Sequence, residues 1–319
     1  MSSRKPVYVF EPETRTVLPL RQDNTAGEEL LFPVTNIYCV GQNYAAHARE
    51  MGTDPKHGPP VFFRKPTDSL LPACDPQGQP RLVNLPYPPQ TNRFHHEIEL
   101  VAALKEGGRN IPRAKAGACI FGYGVGLDMT RRDLQGQAKK MGRPWDVGKA
   151  FEHSAPIGLI HPVTETGHLP EGRIWLNVNG ETRQDGNLNQ LIWSLPEVIA
   201  HLSGLFELRP GDLIFTGTPA GVGPVRKGDV VKWSDVDAAA QESSLAFQVR
   251  REMEARMTPL THKTGNTAKA RAASGCDPIR PCTDKRPPNP TRPTAPFHQT
   301  AHPTTHPPPG PSPRPAAGR

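Results

Sequence analysis

Cysteine is scarce in this 319-residue chain, aromatic side chains make up only 6 % of it, and no apolar run approaches membrane-spanning length. The five cysteines, Cys39, Cys74, Cys119, Cys276 and Cys282, are odd in number, widely spaced and form no C-x-x-C pair. That argues against a zinc site or a disulfide framework and fits reduced thiols. A spanning helix needs roughly 18–20 apolar residues, and the N-terminal MSSRKPVYVFEPETR has no apolar signal-peptide core. The expectation is a soluble, cytoplasmic protein with no membrane partner.

Excess charge is missing from most of the chain. Residues 251–319 carry 11 Lys/Arg against 4 Asp/Glu, whereas residues 1–250 carry 27 of each, so the formal +7 belongs to the C-terminal stretch. A nucleic-acid binder shows its basic footprint on a folded domain, so no nucleic-acid partner is expected. The turn GTPAGVG lacks the Lys-Ser/Thr that completes a nucleotide-phosphate loop, and no organic cofactor is expected.

What is present divides into three stretches. Residues 1–35 read as a small N-terminal element, with VYVF at 7–10 as a short strand and a second apolar stretch from Leu30 to Pro33. Residues 36–250 alternate short strand-like runs with Gly/Pro turns and hold three helical patterns, which predicts a strand-rich α+β domain. Residues 251–319 contain 15 of the 38 prolines and almost no aliphatic side chains. Such a stretch buries too little apolar surface to offset its ordering entropy, so a disordered Pro-rich tail is expected. Its composition also suggests out-of-frame coding sequence or an ill-defined end.

The first helix is expected over Asn43–Met51, closed by Gly52, with His47 and Glu50 one turn apart. The second is expected over Thr130–Met141, with Thr130 and Asp133 as a capping box, Gly142 as its stop, and Arg132 and Gln135 on one face. The third starts at the capping box Ser194–Glu197 and repeats Val198, Ile199, Leu202, Leu205 and Phe206 at core spacing.

In FHHEIELVAAL, Ile98, Leu100 and Ala102 alternate with Glu97, Glu99 and Val101, which places both carboxylates on one strand face. Like charges at that spacing raise each other's pKa unless a counter-charge is near. FGYGVGLDMT, with Tyr123, Val125 and Leu127 alternating, delivers Asp128 at its end. Three carboxylates with no cysteine make a hard oxygen site suited to Mg²⁺, Mn²⁺ or Ca²⁺ rather than Zn²⁺. Taken alone, an E-x-E strand is more often a solvated face. His95 shares the carboxylate face and is assigned a supporting or packing role.

HHEIEL, GYGVGLDMTRRDLQ, PWDVGKAFEHSAPIG and LIFTGTPAGVG, in that order, resemble the fumarylacetoacetate hydrolase family over roughly residues 36–230. IYCVGQNYAAHAREMG and LNQLIWSLPE carry a closer likeness to members that cleave acylpyruvates. The resemblance implies a mixed β-roll, a homodimer, and Mg²⁺ or Mn²⁺ held by Glu97, Glu99 and Asp128. It further implies that His47 and Glu50 form a catalytic dyad that activates water, and that Lys149 meets enolate charge. Arg132, Gln135 and Thr218 are implied to contact a small 2-oxo acid, with Gly217, Thr218, Pro219 and Gly221 forming the turn that lines it. Two departures stand out, Gln42 where many relatives have Arg, and a varied FFRKPTDS stretch.

The implied reaction is hydrolysis of a carbon–carbon bond in an acylpyruvate, fumarylpyruvate giving fumarate and pyruvate. Oxaloacetate decarboxylation, isomerisation of an unsaturated 2-oxo diacid, and a degenerate binding relative are the alternatives. Removing residues 251–319 is expected to leave the melting temperature and metal-stimulated turnover unchanged; loss of either would show that the tail contributes to the fold or the site.

Overall fold

Period-two alternation in two neighbouring segments builds the centre of the fold. In the computed structural model, which describes residues 16–20, 30–52, 58–75, 79, 81–236 and 244–250, the strands Ile98–Leu104 and Ile120–Leu127 pair antiparallel, with Glu99 opposite Gly126. Ile98–Leu104 also pairs antiparallel with Leu213–Phe215, which runs parallel to Ile37–Gly41; that strand pairs with Val61–Lys65. On the other side, Ile120–Leu127 pairs with Ala155–Ile157 and His161–Pro162, and Ala155–Ile157 runs parallel to Leu70–Pro72. The result is a mixed sheet of eight strands.

Both faces of this sheet are covered. Leu100, Ala102, Leu104, Tyr123, Val125 and Leu127 join one apolar cluster with Ile174, Leu176, Trp233, Leu245 and Phe247. Those partners come from a second sheet, ordered Glu181–Asn187, Arg173–Val178, Val230–Ser234, Ser244–Arg250 and Leu82–Pro86. The packing of two sheets face to face is the physical solution for strands with one apolar face each. Val101 and Ala103 alternate to the opposite cluster, with Cys39, Ile157, Leu213 and Phe215, closed by Leu18, Phe32 and Val34. The chain near His161 crosses close to the central strand at Gly122, where an added Cβ would lie 2.3 Å from the His161 carbonyl oxygen.

A small third sheet sets Phe94–His96 between Thr130–Arg131 and Gly223–Pro224. It prolongs the Glu-bearing strand and ties it to the segment after Asp128. No helix among the described residues is long and apolar enough to cross a membrane.

The helices differ in detail from the sequence-based expectations. The first spans Ala45–Glu50, and Gly52 does adopt φ +73° beyond it. The second spans Arg132–Lys140, with Gly142 at φ +61°. The expected Thr130–Asp133 capping box does not form. Thr130 lies in a strand and donates to the Asp128 carbonyl, 3.0 Å, while Asp133 accepts from Thr91 Oγ1 at 2.6 Å and the Asn92 N–H at 3.1 Å. The demand of the buried neighbours on Thr130 outweighs its local capping preference.

The third helix, Leu195–Leu205, does carry its box, closed by the Glu197 carboxylate, which accepts from the Ser194 N–H at 2.9 Å and its hydroxyl at 2.6 Å. Val198, Ile199 and Leu202 are fully buried, but Leu205 is 63 % exposed and does not belong to the core stripe. Single-turn helices at Arg113–Ala116, Asp146–Lys149 and Val163–Thr166 add to the three expected from sequence. Ser244–Arg250 is a strand whose Leu245, Phe247 and Val249 are buried.

The chain divides into two units, residues 1–258 and 259–319, and every described residue lies in the first. The expected strand at 7–10 and the expected disorder of residues 251–319 lie outside the described residues.

The third helix offers a direct check of which face is buried. Leu202→Ala is expected to cost about 2–5 kcal/mol in denaturant unfolding, whereas Leu205→Ala stays within about 0.5 kcal/mol. Equal costs would mean that the helix turns a different face toward the core.

Candidate metal and active site

Glu97 stands at the junction of Phe94–His96 and Ile98–Leu104, Glu99 two residues on, and Asp128 at the first position after Ile120–Leu127. The strand pairing carries Asp128 back beside Glu97, where its N–H donates to the Glu97 carbonyl at 2.8 Å. One oxygen from each of the three carboxylates falls within 4.8 Å of the others, and all three side chains are buried. The residues that period-two alternation singles out are therefore brought together in space.

Burying three carboxylates together is costly unless positive charge compensates. Lys149, at the end of the Asp146–Lys149 helix, donates to Glu97 Oε2 at 2.8 Å, to Thr130 Oγ1 at 2.8 Å and to Asp128 Oδ2. Arg132 donates to Glu97 Oε1 and, at 2.6 Å, to Gln135 Oε1. Lys65, at the end of its strand, lies 2.9 Å from Asp128 Oδ1 and donates to Ser154 Oγ at 2.9 Å and to the carbonyls of Met129 and Lys149. It thereby pins the backbone on both sides of the cluster.

These contacts divide the carboxylates electrically. Burial works to raise the Glu97 pKa, but the charges of Lys149 and Arg132 prevail and hold it well below the usual carboxylate range. Burial pushes Glu99 well above that range, and the charges of Asp128 and Glu97 push the same way. Burial would lower the Lys149 pKa, yet Asp128 and Glu97 raise it. Among the described residues Glu99 has no ion pair; its Oε2 accepts only the Gly217 N–H, 2.8 Å.

A divalent cation fits this set. The three oxygens are close enough to share one ion, and Glu99, buried beside two other carboxylates, has no ion-pair partner among the described residues. All the donors are hard oxygens, which suits Mg²⁺ or Mn²⁺. Cys39 lies in the same neighbourhood, but burial and the Asp128 charge keep its thiol protonated. His95 Nδ1 is buried without a hydrogen-bond partner among the described residues, and burial together with Arg132 lowers its pKa to about 4; it is not among the grouped ligands.

The carboxylates open onto a cavity of about 30 Å³, which also meets His47, Arg132, Gln135, Lys149 and Thr218. Its apolar wall includes Val40, Phe63 and Trp145, with the Phe63 and Trp145 rings 5.8 Å apart. His47 is buried, and its Nδ1 lies 3.1 Å from Glu50 Oε2. Glu50 does not line the cavity but is braced from the far side by the Gly221 N–H, 3.4 Å from Oε1. All the candidate site residues thus meet at one place, Glu50 through His47.

Three further residues hold this arrangement and do not stand out in the sequence. Asn43, expected inside the first helix, precedes it; its side chain donates to the Trp193 and Thr216 carbonyls at 3.0 and 2.8 Å and accepts from the Trp193 N–H at 2.7 Å. It anchors the entry to the His47 helix, and at Gly217, φ +101°, any Cβ would lie 2.7 Å from Asn43 Cβ. Lys65 is visible in sequence only as part of the varied FFRKP stretch. Gln184, fully buried in a strand of otherwise polar appearance, bridges His96, Ile98, Thr218 and Pro219.

Comparison with known proteins agrees with this architecture. The family described as fumarylacetoacetate (FAA) hydrolase C-terminal matches residues 36–261. The mitochondrial oxaloacetate tautomerase FAHD1 of Mus musculus is 40 % identical over 216 residues, covering 68 % of this chain and 92 % of the relative. The mitochondrial oxaloacetate tautomerase FAHD2 of Oryza sativa subsp. japonica is 39 % identical over 207 residues, covering 65 % and 89 %. Among solved structures, fumarylpyruvate hydrolase from Pseudomonas aeruginosa in complex with Mn²⁺ and pyruvate superposes with a TM-score of 0.70 at 47 % identity, covering 77 % of this chain and all of that one. A putative fumarylpyruvate hydrolase from Burkholderia cenocepacia gives 0.67 at 42 %, covering 79 % and 99 %. With two-thirds of its length matched by sequence and its sheets matched by structure, this chain belongs to the fumarylacetoacetate hydrolase family.

Proposed function

We propose that the protein is a divalent-metal-dependent hydrolase of acylpyruvates, with fumarylpyruvate as substrate. The observation that carries this reading is the meeting, in one cavity, of a buried three-carboxylate group and a His–Glu dyad. Glu97, Glu99 and Asp128 would hold Mg²⁺ or Mn²⁺, which when bound supplies a Lewis acid for the oxygens of a 2-oxo acid. The similarity to a fumarylpyruvate hydrolase crystallised with Mn²⁺ and pyruvate supports both the metal and the product.

The side chains divide the remaining work. With Glu50 accepting from His47 Nδ1–H, the neutral imidazole keeps its Nε2 lone pair for a proton. His47 takes that proton from water, and the hydroxide adds to the carbonyl carbon distal to the pyruvate unit. The adduct collapses with cleavage of the carbon–carbon bond; the electron pair leaves with the pyruvate fragment as an enolate, which is then protonated to pyruvate. Fumarylpyruvate and water become fumarate and pyruvate.

The family resemblance gives Lys149 the task of meeting enolate charge, and its place in the site adds a second duty. Its three donors are already directed at Glu97, Asp128 and Thr130, so it orders the carboxylates while keeping positive charge beside the reacting oxygens. Arg132 adds a further cation, with its Nε–H free of partners among the described residues. Such preorganised charge is the largest contribution an acyl-cleaving site makes to its transition state.

The oxaloacetate tautomerase relatives favour a second reading, interconversion of the keto and enol forms of oxaloacetate. That reaction uses the same polarised 2-oxo acid and moves a proton between carbon and oxygen without consuming water. Product analysis separates the two. Purified protein with Mn²⁺ is expected to release one pyruvate for each fumarylpyruvate consumed, and removal of the metal with a chelator to abolish turnover reversibly. His47→Ala is expected to lower that turnover by roughly 10²–10⁴-fold. Rapid equilibration of oxaloacetate tautomers with no pyruvate formed from fumarylpyruvate would instead establish the tautomerase.

A further inference from the structure

Gln184 sits on the second sheet, in the strand Glu181–Asn187, yet every polar atom of its side chain is spent on the segments that frame the cavity. It has no solvent exposure. Its Nε2 donates to Thr218 Oγ1 at 2.8 Å and to the Pro219 carbonyl at 2.9 Å. Its Oε1 lies 3.1 Å from the Ile98 N–H and 2.8 Å from His96 Nδ1.

Two of these partners remove any ambiguity in the amide's orientation. A backbone N–H can only donate, so the atom facing Ile98 is the oxygen; a proline carbonyl can only accept, so the atom facing Pro219 is the nitrogen. Three consequences follow in order. His96 must present Nδ1–H to Gln184, which leaves its Nε2 as an acceptor. Thr218 must accept from Gln184, so its own hydroxyl proton is left over. The Gln184 donor occupies one side of Thr218 Oγ1, and Thr218 lines the cavity beside Glu97, Glu99 and His47, which leaves the cavity as the place for that proton.

We propose that Gln184 is a positioning residue that fixes the Thr218 hydroxyl as a hydrogen-bond donor to the carboxylate of the bound substrate. The proposal rests on reading the cavity as a 2-oxo acid site. It gives Gln184 a second, linked task, because the same amide oxygen holds the Ile98 N–H between Glu97 and Glu99. One side chain reaching across from the opposite sheet thereby braces the Thr218 turn against the Glu-bearing strand, beside the direct bond from the Gly217 N–H to Glu99.

The test measures binding of pyruvate, and in parallel of pyruvamide and of oxaloacetate, to the Mn²⁺-loaded protein by titration calorimetry. Thr218→Val is expected to weaken pyruvate binding by about 10- to 100-fold, as for loss of one hydrogen bond to a charged group, and to weaken pyruvamide binding far less. Gln184→Glu keeps the acceptor for Ile98 and His96 but turns the Thr218 proton toward the new carboxylate. It is expected to reproduce the Thr218→Val loss, and the double variant is expected to lose nothing further. Gln184→Met, which removes both donors without adding charge, repeats the measurement, and a cooperative thermal transition checks that each variant is folded.

Pyruvate affinity in Gln184→Glu and Gln184→Met within about twofold of the unsubstituted protein would overturn the proposal, since such a change is under 0.5 kcal/mol and smaller than any one hydrogen bond to a charged group. So would losses that multiply in the double variant, because Gln184 would then act independently of Thr218. If the unsubstituted protein binds oxaloacetate but not pyruvate, the hydrolase reading loses its product site, while the same coupling, read with oxaloacetate, still decides the role of Gln184.

Discussion

Three carboxylates forced into one buried corner are the constraint around which the rest of the site is arranged. Strand geometry puts Glu97 and Glu99 on one face and the pairing of neighbouring strands returns Asp128 to them, so the backbone imposes the crowding before any side chain relieves it. Relief comes unevenly. Glu97 and Asp128 are met by Lys149, Arg132 and Lys65, while Glu99 is left with a single backbone N–H. A cluster neutralised on two members and without an ion pair on the third keeps three hard oxygen donors close enough to share one divalent cation.

That division explains why the site sits inside a sandwich and not on a loop. The donors to the cluster come from the ends of three separate elements, Val61–Lys65, Asp146–Lys149 and Arg132–Lys140, and a fourth contact comes from the turn at Gly217. Each is tied to the central sheet by groups with no chemistry of their own. Ser154 holds Lys65, Asn43 holds the Thr216 carbonyl, and Gln184 holds the backbone at Ile98. Charges placed this way keep their geometry when water is excluded, which is when they interact most strongly.

Much of this was legible from residues alone where a short-range pattern carried the information. The alternation in HHEIELVAAL and FGYGVGLDMT gave the faces of the two central strands, and the helical spacing placed His47 and Glu50 one turn apart, because both depend on a period intrinsic to the element; only the family resemblance made that pair a dyad. Lys65, Asn43 and Gln184 escaped because their partners lie far off in the chain; Gln184 reaches His96, 88 positions away, and Asn43 reaches Thr216, 173 away. The failed capping box at Thr130 has the same origin. Local rules favoured Thr130 and Asp133 as a cap, but the Asp128 carbonyl and the Lys149 ammonium claimed Thr130, and Thr91 claimed Asp133. Leu205 fits the helical spacing too, yet it is the last residue of its helix and faces solvent.

Family membership alone leaves two reactions open, and the reason is physical. Polarising a 2-oxo acid and offering it a base are common to cleaving an acylpyruvate and to tautomerising oxaloacetate, and the roles proposed for a cation held by the carboxylates and for His47 would serve either reaction. What differs is the proton His47 removes, from water in one case and from substrate in the other. A cavity of about 30 Å³ has room for one water or one ion before the surrounding side chains move. The reaction is therefore decided by what the substrate leaves beside His47 once it is bound. On the proposed hydrolase reading, an acyl chain taken up beside Phe63 and Trp145 would offer His47 a carbonyl carbon for attack by water. On the tautomerase reading, a short diacid would offer the same base its own methylene proton.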